Sequence, residues 1–485
     1  MAALGPAFST ELPAEPLPQP HWVARSDALA ASIAWSQWLD SSEALAVLSG
    51  NAPPNPAQAG PTLATVYSGH QFGVWAGQLG DGRALLLGEV DTPVGPMEIQ
   101  LKGAGRTPYS RRGDGRAVLR SSIREFLCSE AMHALGIPTT RAIALVGSPM
   151  SVYRETRETA AVVTRVAPSF LRFGHFEHFA HTAADIESLR KLADATLARY
   201  FPQLLDQPSP LTAMLTEVAT RTAKLITQWQ AVGFCHGVMN TDNMSVLGLT
   251  IDYGPFGFLD AFDPGHICNH SDHQGRYAWA QQPNVAFWNL HALAQGLMPL
   301  IKDSEAALAA LEPYKATYAH SMLNAWRAKL GLRNDASAAT AAADDATLVD
   351  ELLKLMAKDH TDFSIGFRRL AGFETADGAS NEAIRDLYMD REAFDAWAGR
   401  YRQRLLAEGS VDAERAVRMN AVNPKFILRN HLAETAIKSA QTGDYSEVQR
   451  LHQLLQRPFD EQPEFEAYAD FPPPWAQQLE VSCSS

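Results

Sequence analysis

Two residues that could hold a divalent cation, Asn243 and Asp252, lie just outside the two ends of a short apolar run, residues 244–251. An apolar run of this length after a polar loop predicts a short β-hairpin, which would bring the two side chains together. Mg²⁺ in proteins takes oxygen ligands, usually one or two carboxylates together with the phosphate oxygens of a substrate. The pair therefore predicts a magnesium site for a phosphorylated substrate.

The polar loop before this run has the spacing of a protein-kinase catalytic loop. Such loops follow the pattern H-x-D-x-x-x-x-N, in which the Asp is the catalytic base and the Asn binds a metal ion. His236 and Asn243 match the pattern, but Val238 stands in the place of the catalytic Asp. An acid reappears at Asp242, and we predict that the proton acceptor has moved there.

A lysine at the end of a predicted strand could contact phosphate. Residues 97–102 alternate between apolar and polar side chains, which predicts a strand ending at Lys102. Alone, such a lysine is more often a solvated edge charge. Glu125, at the start of the next predicted helix, is either the acid of a capping box with Ser122 or the ion-pair partner of Lys102. The order Lys, Glu, Asn, Asp along the chain favours the functional interpretation.

An arginine-rich stretch follows this strand. Five arginines lie between Arg106 and Arg120, around Asp114 and Gly115, in a chain that is acidic overall. Arginines on glycine-rich backbone are typical of a local anion site, since backbone N–H groups and guanidinium groups both bind phosphate. We therefore expect part of a nucleotide pocket here.

Two further features have a structural and a functional interpretation. The turn that contains Gly80, Gly82 and Arg83 is first of all a hairpin signal, and the alternative is a glycine-rich cover over phosphates. Arg165 and Arg172, near the end of a predicted strand and just after it, could point into the pocket or pair with acids elsewhere. Local pattern alone does not decide between these.

Composition excludes several classes of protein. A formal net charge of −13 argues against nucleic acid as the main partner. Four cysteines are too few for a disulfide framework, and no apolar run reaches the length of a membrane span, so we expect a cytoplasmic protein with no membrane partner. The His, Cys and Asp residues at 268–272 match no zinc pattern.

The elements predict an α+β fold that is bilobal and protein-kinase-like. We predict an N-terminal extension over residues 1–60 and a β-rich N-lobe with nucleotide-binding residues over 61–166. A helical C-lobe with the metal site is predicted over 167–302, and a helical C-terminal region over 303–485.

The longest motifs carry a resemblance to a known family. They are Tyr67-Ser-Gly-His-Gln-Phe-Gly, Gln78-Leu-Gly-Asp-Gly-Arg83, the run from Gln100 to Arg116, His236-Gly-Val-Met-Asn-Thr-Asp-Asn-Met and Asn423-Pro-Lys-Phe. With these motifs in this order over nearly its whole length, the chain resembles the selenoprotein O family of protein adenylyltransferases. The resemblance implies a pseudokinase that binds ATP in a flipped orientation and transfers AMP to Ser, Thr or Tyr hydroxyls of proteins.

The resemblance also assigns roles by motif. It implies that Asp242 is the proton acceptor, that Asn243 and Asp252 hold Mg²⁺, with Mn²⁺ as a possible substitute, and that Glu125 orients Lys102. Nucleotide contacts are implied for Gly80, Gly82, Arg83, Lys102, Asp114, Gly115, Arg165, Arg172 and Asp252.

The C-terminus adds an expectation of redox control. The chain ends in Cys483-Ser-Ser, where eukaryotic members of the family have selenocysteine-Ser-Ser. Bacterial relatives suggest a regulatory disulfide between the terminal Cys and one near the active site, for which Cys268 is the candidate. We further expect a monomer.

Three alternatives remain at this point. The protein could be a kinase that transfers the γ-phosphate, or a nucleotide-binding scaffold, which Val238 at the usual acid position would favour. It could also transfer UMP from UTP, since none of these motifs reads the base.

Overall fold

The computed structural model describes residues 1–54, 62–333 and 339–482 of the chain. The strands in these ranges are β1 (Ser9–Glu11), β2 (His21–Arg25), β3 (Leu63–Thr65), β4 (Ser68–Gln71), β5 (Val74–Gln78), β6 (Ala84–Thr92), β7 (Gly95–Lys102), β8 (Ala117–Val118), β9 (Arg141–Tyr153), β10 (Arg157–Ala167), β11 (Phe234–Cys235) and β12 (Gly257–Phe258).

The α-helices in the same ranges are α1 (Asp27–Ser32), α2 (Ser36–Leu39), α3 (Ser42–Leu48), α4 (Leu119–Ala134), α5 (Phe173–Glu177), α6 (Ile186–Tyr200), α7 (Pro210–Ala231), α8 (Gln282–Ile301), α9 (Ser304–Ala309), α10 (Pro313–Lys329), α11 (Ala339–Asp359), α12 (Phe363–Leu370), α13 (Glu382–Arg385), α14 (Arg391–Ala407), α15 (Asp412–Asn420), α16 (Asn430–Gln441) and α17 (Ser446–Leu455). Over the three described ranges, the search for a helix with the length and apolar character of a membrane span finds none.

The β-rich part of the protein is one antiparallel sheet with a separate ribbon. The sheet has the order β1-β3-β6-β7-β10-β9-β2, and β8 pairs with β10. Strands β4 and β5 form their own two-stranded hairpin. The predicted extension over residues 1–60 contributes the two outer strands of the sheet, β1 and β2, so its chain is an integral part of the sheet.

Successive side chains of β7 point to opposite faces of the sheet, and this decides which of them are buried in the core and which face the cleft beside helix α4. Ile99 and Leu101 are buried in the core cluster that includes β9 and β10 residues, while Gln100 and Lys102 lie on the other face. Helix α4 packs against β9 and β10, with Phe126 and Leu127 fully buried. Strand β7 and helix α4 therefore present polar residues to the same cleft.

The predicted hairpin over residues 244–251 does not form. Ser245 instead makes an antiparallel bridge with Arg172, and Thr250 makes a parallel bridge with Thr139. The prediction was wrong because each arm finds its backbone partners in a distant segment, which the local pattern cannot show. Arg172 nevertheless connects the two ends of this loop, because it donates to the backbone carbonyl of Asp242 and pairs with the carboxylate of Asp252.

Most of the described chain after residue 282 is helical, and part of it braces α4. Helices α16 and α17 pack against α4. Arg124 donates from Nη1 to Oδ1 of Asn430 at 3.1 Å and from Nη2 to the carbonyl oxygen of Phe256 at 2.5 Å. The rings of Phe126 and His452 are 4.9 Å apart. The helix that carries Glu125 is thus held between the sheet and the C-terminal helices.

Candidate active site

Lys102 and Glu125 form a buried ion pair, with Nζ 2.5 Å from Oε2. The second carboxylate oxygen of Glu125 lies 2.9 Å from Nε of Arg165 on β10. Helix α4 begins at Leu119, so Ser122 lies inside it and is not its N-cap residue. Of the two interpretations of Glu125, the capping box is therefore wrong and the ion pair is observed.

Three cationic side chains contact the carboxylate of Asp252. Its Oδ1 lies 2.7 Å from Nη1 of Arg165 and 3.7 Å from Nζ of Lys102, and its Oδ2 pairs with Arg172. Its φ of 57° is in the left-handed region, which is uncommon for a residue other than glycine. Burial opposes ionisation, but Arg172, Arg165 and Lys102 hold the pKa of this carboxyl well below its usual value. Asp252 is therefore an anion at neutral pH.

The ion pairs of this cluster leave positive charge in excess, because three cations share two carboxylates. Burial also lowers the pKa of Lys102 to about 8. Arg83 adds a fourth cation. It is half-buried, burial lowers its pKa, and no carboxylate in the described ranges lies within ion-pairing distance of it. A buried excess of positive charge favours an anionic ligand such as phosphate.

Asp242 and Asn243 lie in a single turn of 3₁₀ helix. Asp242 is buried; its Oδ2 is 3.4 Å from Nε2 of Gln71, and its Oδ1 has no hydrogen-bond partner among the described residues. Burial raises the pKa of this carboxyl to about 6, and the negative charge of Asp252 adds to the rise. An acid with this pKa and an unused oxygen can accept a proton near neutral pH.

Arg172 links the two acids of the site. Its Nη1 donates to the backbone carbonyl of Asp242 at 2.9 Å and pairs with the carboxylate of Asp252. Its guanidinium carbon lies 5.1 Å from the centre of the Tyr67 ring, and its backbone N–H donates to Nδ1 of His175 at 3.0 Å. The position of Asp242 relative to Asp252 is therefore fixed through one arginine.

The rest of the loop is held by buried polar contacts. Asn243 donates from Nδ2 to the carbonyl of Val238 at 2.9 Å, which leaves its Oδ1 as the atom suited to a cation. His236 is buried, its ring is 5.2 Å from that of Trp229, and its Nε2 donates to the carbonyl of Ile251 at 2.9 Å. His236 thus connects the start of the loop to the residue that precedes the final acid.

The donor set near this loop fits Mg²⁺. The amide oxygen of Asn243 and the carboxylate of Asp252 are hard oxygen donors, and the unused Oδ1 of Asp242 is a third. No group of three or more His, Cys, Asp or Glu residues in the described ranges is arranged to hold a metal ion unaided. A cation held here would therefore complete its coordination with substrate and water oxygens, as Mg²⁺ commonly does.

The turn with Gly80 and Gly82 is not a hairpin. The strands on either side of it do not pair, since β5 belongs to the ribbon with β4 and β6 pairs with β3 and β7. A Cβ on Gly80, whose φ is 145°, would lie 2.4 Å from Cγ of Tyr109, and one on Gly82 would lie 2.8 Å from the carbonyl oxygen of Tyr109. Both glycines allow the arginine-rich loop to approach the turn closely.

Within the arginine-rich loop, Gly115 and Asp114 have structural partners. Gly115 has a φ of 68°, and a Cβ there would lie 2.1 Å from the carbonyl oxygen of Gly105. Asp114 makes a two-pronged ion pair with Arg154, at 2.8 and 2.9 Å, which lowers the pKa of its carboxyl. Asp114 is thus paired outside the cation cluster around Asp252.

Sequence reasoning gave no role to the β4–β5 hairpin, although it noted the motif that forms most of it. The hairpin lies directly over the loop: the backbone N–H of His70 donates to Oγ1 of Thr241 at 2.8 Å, and Gln71 reaches Asp242. The motif has no local charge pattern that predicts this contact, which joins residues far apart in the chain.

The three cysteines in the described part of the chain are buried and are free thiols. Cys268 donates from Sγ to the carbonyl of Cys235 at 3.4 Å, and burial raises the pKa of its thiol. Cys483 lies outside the described residues. The C-terminal segment nevertheless approaches Cys268, because the backbone N–H of His270 donates to the carbonyl of Val481 at 2.8 Å.

Comparison with known proteins gives a consistent result. The sequence model of the family described as protein adenylyltransferase SelO matches residues 1–456. A protein nucleotidyltransferase YdiU of Cupriavidus metallidurans is 55% identical over all of this chain and 91% of the relative. Proteins of the same name from Paraburkholderia xenovorans and Burkholderia pseudomallei are 57% and 56% identical, over 100% and 99% of this chain and 94% of each relative.

A family match over most of the chain and relatives above half identity agree with the cluster of cations and acids just described. The protein is therefore a member of the SelO family and an enzyme of the nucleotidyltransferase class.

Proposed function

We propose that the protein transfers AMP from ATP to Ser, Thr or Tyr hydroxyls of other proteins, with Mg²⁺ or Mn²⁺ bound at Asn243 and Asp252. The observation that carries the proposal is the arrangement around Arg172, which holds the buried carboxyl of Asp242, with its unpartnered Oδ1, beside a buried excess of positive charge. This supports Asp242 as the proton acceptor. A bound metal ion would neutralise phosphate charge and orient the phosphates.

Residues of the chain itself would bind the phosphates, hold one another in position and accept the proton. Lys102, Arg165 and Arg172 would bind phosphate oxygens, and Glu125 would keep Lys102 in position. The acceptor hydroxyl would lose its proton to Asp242 while its oxygen forms a bond to the α-phosphorus. The bond from that phosphorus to the bridging oxygen would break, and pyrophosphate would leave. Positioning and charge neutralisation account for most catalysis of this kind, so an acid at residue 238 is not required.

We propose that the fold is a bilobal, protein-kinase-like arrangement, which would suit AMP transfer from ATP. We propose an N-lobe over residues 61–166, whose sheet carries the Lys and whose helix α4 carries the Glu, and a helical C-lobe over 167–302 with the metal site. Residues 303–485 would form the C-terminal region, and residues 1–60 an extension joined to the sheet. The antiparallel sheet followed by helices agrees with this division.

Labelled ATP is the direct test. With ATP labelled at the α-phosphate, we expect label in acid-precipitated protein, and with the γ-phosphate labelled we expect none. Protein-bound γ-label alone would assign the enzyme as a kinase. Nucleotide binding without any transfer would assign a scaffold.

UMP transfer is the second candidate, favoured by one observation. The relatives are named for nucleotidyl transfer, without a stated base. Parallel assays with ATP and UTP, each labelled at the α-phosphate, decide the donor. A higher kcat/KM for UTP would replace AMP with UMP in the proposal.

We also propose redox control through Cys268 and Cys483. The contact between His270 and Val481 supports it, because residue 483 follows two positions later in the chain. Oxidation would join the two sulfur atoms and release two electrons and two protons to an oxidant such as hydrogen peroxide. Non-reducing peptide mapping after mild oxidation should find the Cys268–Cys483 peptide, with Cys128 still free. Free thiols at both 268 and 483 would contradict this part.

We also propose that the protein is cytoplasmic and monomeric. The free thiols of the described cysteines support the first part, since thiols persist in a reducing compartment. Light scattering coupled to size-exclusion chromatography should give a single species near 52.9 kDa.

A further inference from the structure

The β4–β5 hairpin exposes an unusual number of large apolar side chains beside the candidate proton acceptor. Val74 is 70% exposed, and Phe72 and Trp75 are each 38% exposed. Trp288, on α8, is 37% exposed and stands edge-on to the His70 ring at 5.2 Å. We call these four exposed residues, with Arg276, the hairpin surface. Exposed apolar patches of this kind commonly mark interaction sites.

The hairpin surface is attached to the loop that holds Asp242. The backbone N–H of His70 donates to Thr241, and that of Phe72 donates to Oδ1 of Asn240 at 3.1 Å. A Cβ on Gly69 would lie 2.8 Å from Oγ1 of Thr241 and 3.3 Å from the backbone N of Asp242, so the hairpin and the loop are in close contact. A hydroxyl that reaches Asp242 is thereby adjacent to this hairpin.

The turn of the hairpin places an aromatic residue where backbone geometry disfavours it. Phe72 and Gly73 form a two-residue turn, and both have positive φ, 50° and 80°. Such turns usually contain Asn or Gly, because a bulky residue with positive φ is strained. Strain of this kind is concentrated at functional sites. The Phe72 ring, which is 38% exposed at the tip of the hairpin, lies 5.2 Å from the Tyr277 ring.

Arg276 gives the hairpin surface a positive charge. Its guanidinium lies 4.7 Å from the Trp288 ring centre, and a Cβ on Gly73 would be 2.9 Å from its Cζ. Its Nε is buried and has no hydrogen-bond partner, and no carboxylate in the described ranges is within ion-pairing distance of it. In a chain of net charge −13, this arginine is complementary to an acidic ligand.

The outer edge of β5 can receive an extended chain. Among the described strands β5 pairs with β4 alone, and Val74, Trp75, Ala76 and Gln78 on it are exposed. An unpaired strand edge can bind an extended peptide through backbone hydrogen bonds, while side-chain contacts supply the specificity.

From these contacts we propose that the hairpin surface binds the acceptor protein as an extended, acidic segment. The segment lies along β5, a carboxylate near the acceptor hydroxyl pairs with Arg276, and an apolar residue packs on Trp75 and Trp288. The inference rests on the proposed function, since it names the acceptor class for the same Asp242.

Matched peptides test the inference. Two series of synthetic peptides each contain a central Ser, Thr or Tyr. In the acidic series this residue is flanked by Glu and Leu, and in the basic series by Lys and Leu. Wild-type protein should modify the acidic series with a KM at least about tenfold lower, as expected for a charge-assisted hydrogen bond. Arg276→Glu should reverse this preference and Arg276→Lys should retain part of it. Arg190→Glu, an exposed charge reversal on α6, serves as the control and should leave the preference unchanged.

The outcomes separate the inference from the proposed function. Calorimetry should give the same ATP affinity for all these variants. Equal use of the two peptide series, or an acidic preference that survives in Arg276→Glu, would overturn the acceptor site while leaving AMP transfer in place. The acceptor site would also be overturned if whole proteins were modified but no peptide was. Absence of transfer to every peptide and protein would instead overturn the proposed function, and the acceptor site with it.

Discussion

Arg172 and Asp242 are joined by a hydrogen bond from Nη1 to the backbone carbonyl, at 2.9 Å, rather than by a pairing of their charges. The same nitrogen pairs with Asp252. The carboxylate of Asp242 is thereby left free to act on a proton, while the charge of Arg172 is directed to Asp252 and to any bound phosphate. One guanidinium with several donors can do both, which a lysine ammonium does less well.

Replacing Asp252 by Asn should greatly reduce the rate of transfer while preserving nucleotide binding. The variant loses the carboxylate proposed for Mg²⁺, but Lys102, Arg165 and Arg172 remain and lose an internal competitor for phosphate. We expect the transfer rate to fall by at least about 100-fold, comparable to the loss of one strong electrostatic contact in other active sites. Transfer of labelled AMP measures the rate, and calorimetry measures the ATP affinity.

Asp377→Asn is the control for this change, because the Asp377 side chain is 99% exposed. It should transfer AMP at the wild-type rate. Wild-type transfer by Asp252→Asn would remove Asp252 from the proposed mechanism.

The rate should have a bell-shaped pH dependence. Asp242 can accept a proton only when ionised, so kcat/KM should rise with pH through about 6. Lys102 binds phosphate best when protonated, so kcat/KM should fall as pH increases through about 8. Rates measured from pH 5 to 9.5 at saturating metal ion should show both limbs.

Lys102→Arg provides the control, since arginine stays protonated over this range. In this variant the alkaline limb should disappear and the acid limb should remain. An alkaline limb unchanged in Lys102→Arg would assign that limb to another group.

The pair of Lys102 and Glu125 could be predicted from the sequence because each residue has a strong local signal. A strictly alternating strand fixes the face of Lys102, and the start of an amphipathic helix fixes that of Glu125. Their contact then follows from the packing of that helix on the sheet. The resemblance to the family, rather than any local pattern, implied that Asp252 shares a pocket with Lys102, Arg165 and Arg172, and it did not imply that Asp252 pairs with all three.

The remaining features depend on partners that are distant in sequence. The loop over residues 244–251 bridges to Arg172 and Thr139 instead of folding on itself. The charge of Asp114 is taken by Arg154, forty residues later. In both cases the local sequence is compatible with several backbone or ion-pair partners, and tertiary packing determines which of them is used.

Glu125→Gln should destabilise the protein more than Lys102→Met. An amide at residue 125 leaves Lys102 and Arg165 buried near a neutral group, and breaking a buried ion pair costs about 3 kcal/mol or more of unfolding free energy. In Lys102→Met, Glu125 keeps its contact with Arg165, so the loss should be smaller. Denaturant unfolding followed by tryptophan fluorescence measures both.

The control for this comparison is Glu187→Gln, an exposed acid on α6, which should change the unfolding free energy by less than about 0.5 kcal/mol. If Lys102→Met cost as much as Glu125→Gln, the contact with Arg165 would contribute little.

Gly115→Ala should impair ATP binding far more than Gly95→Ala. Both glycines have positive φ, 68° and 105°, so both substitutions strain the backbone. At Gly95 the added Cβ meets nothing within 4 Å, whereas at Gly115 it would lie 2.1 Å from the carbonyl oxygen of Gly105. We expect the arginine-rich loop to shift and KM for ATP to rise at least about tenfold, since small misplacements of binding groups are costly. Titration with ATP compares the affinities of the two variants. Gly95→Ala is the control, because it has the backbone strain without the clash. Equal losses of affinity in the two variants would show that backbone strain alone accounts for the effect.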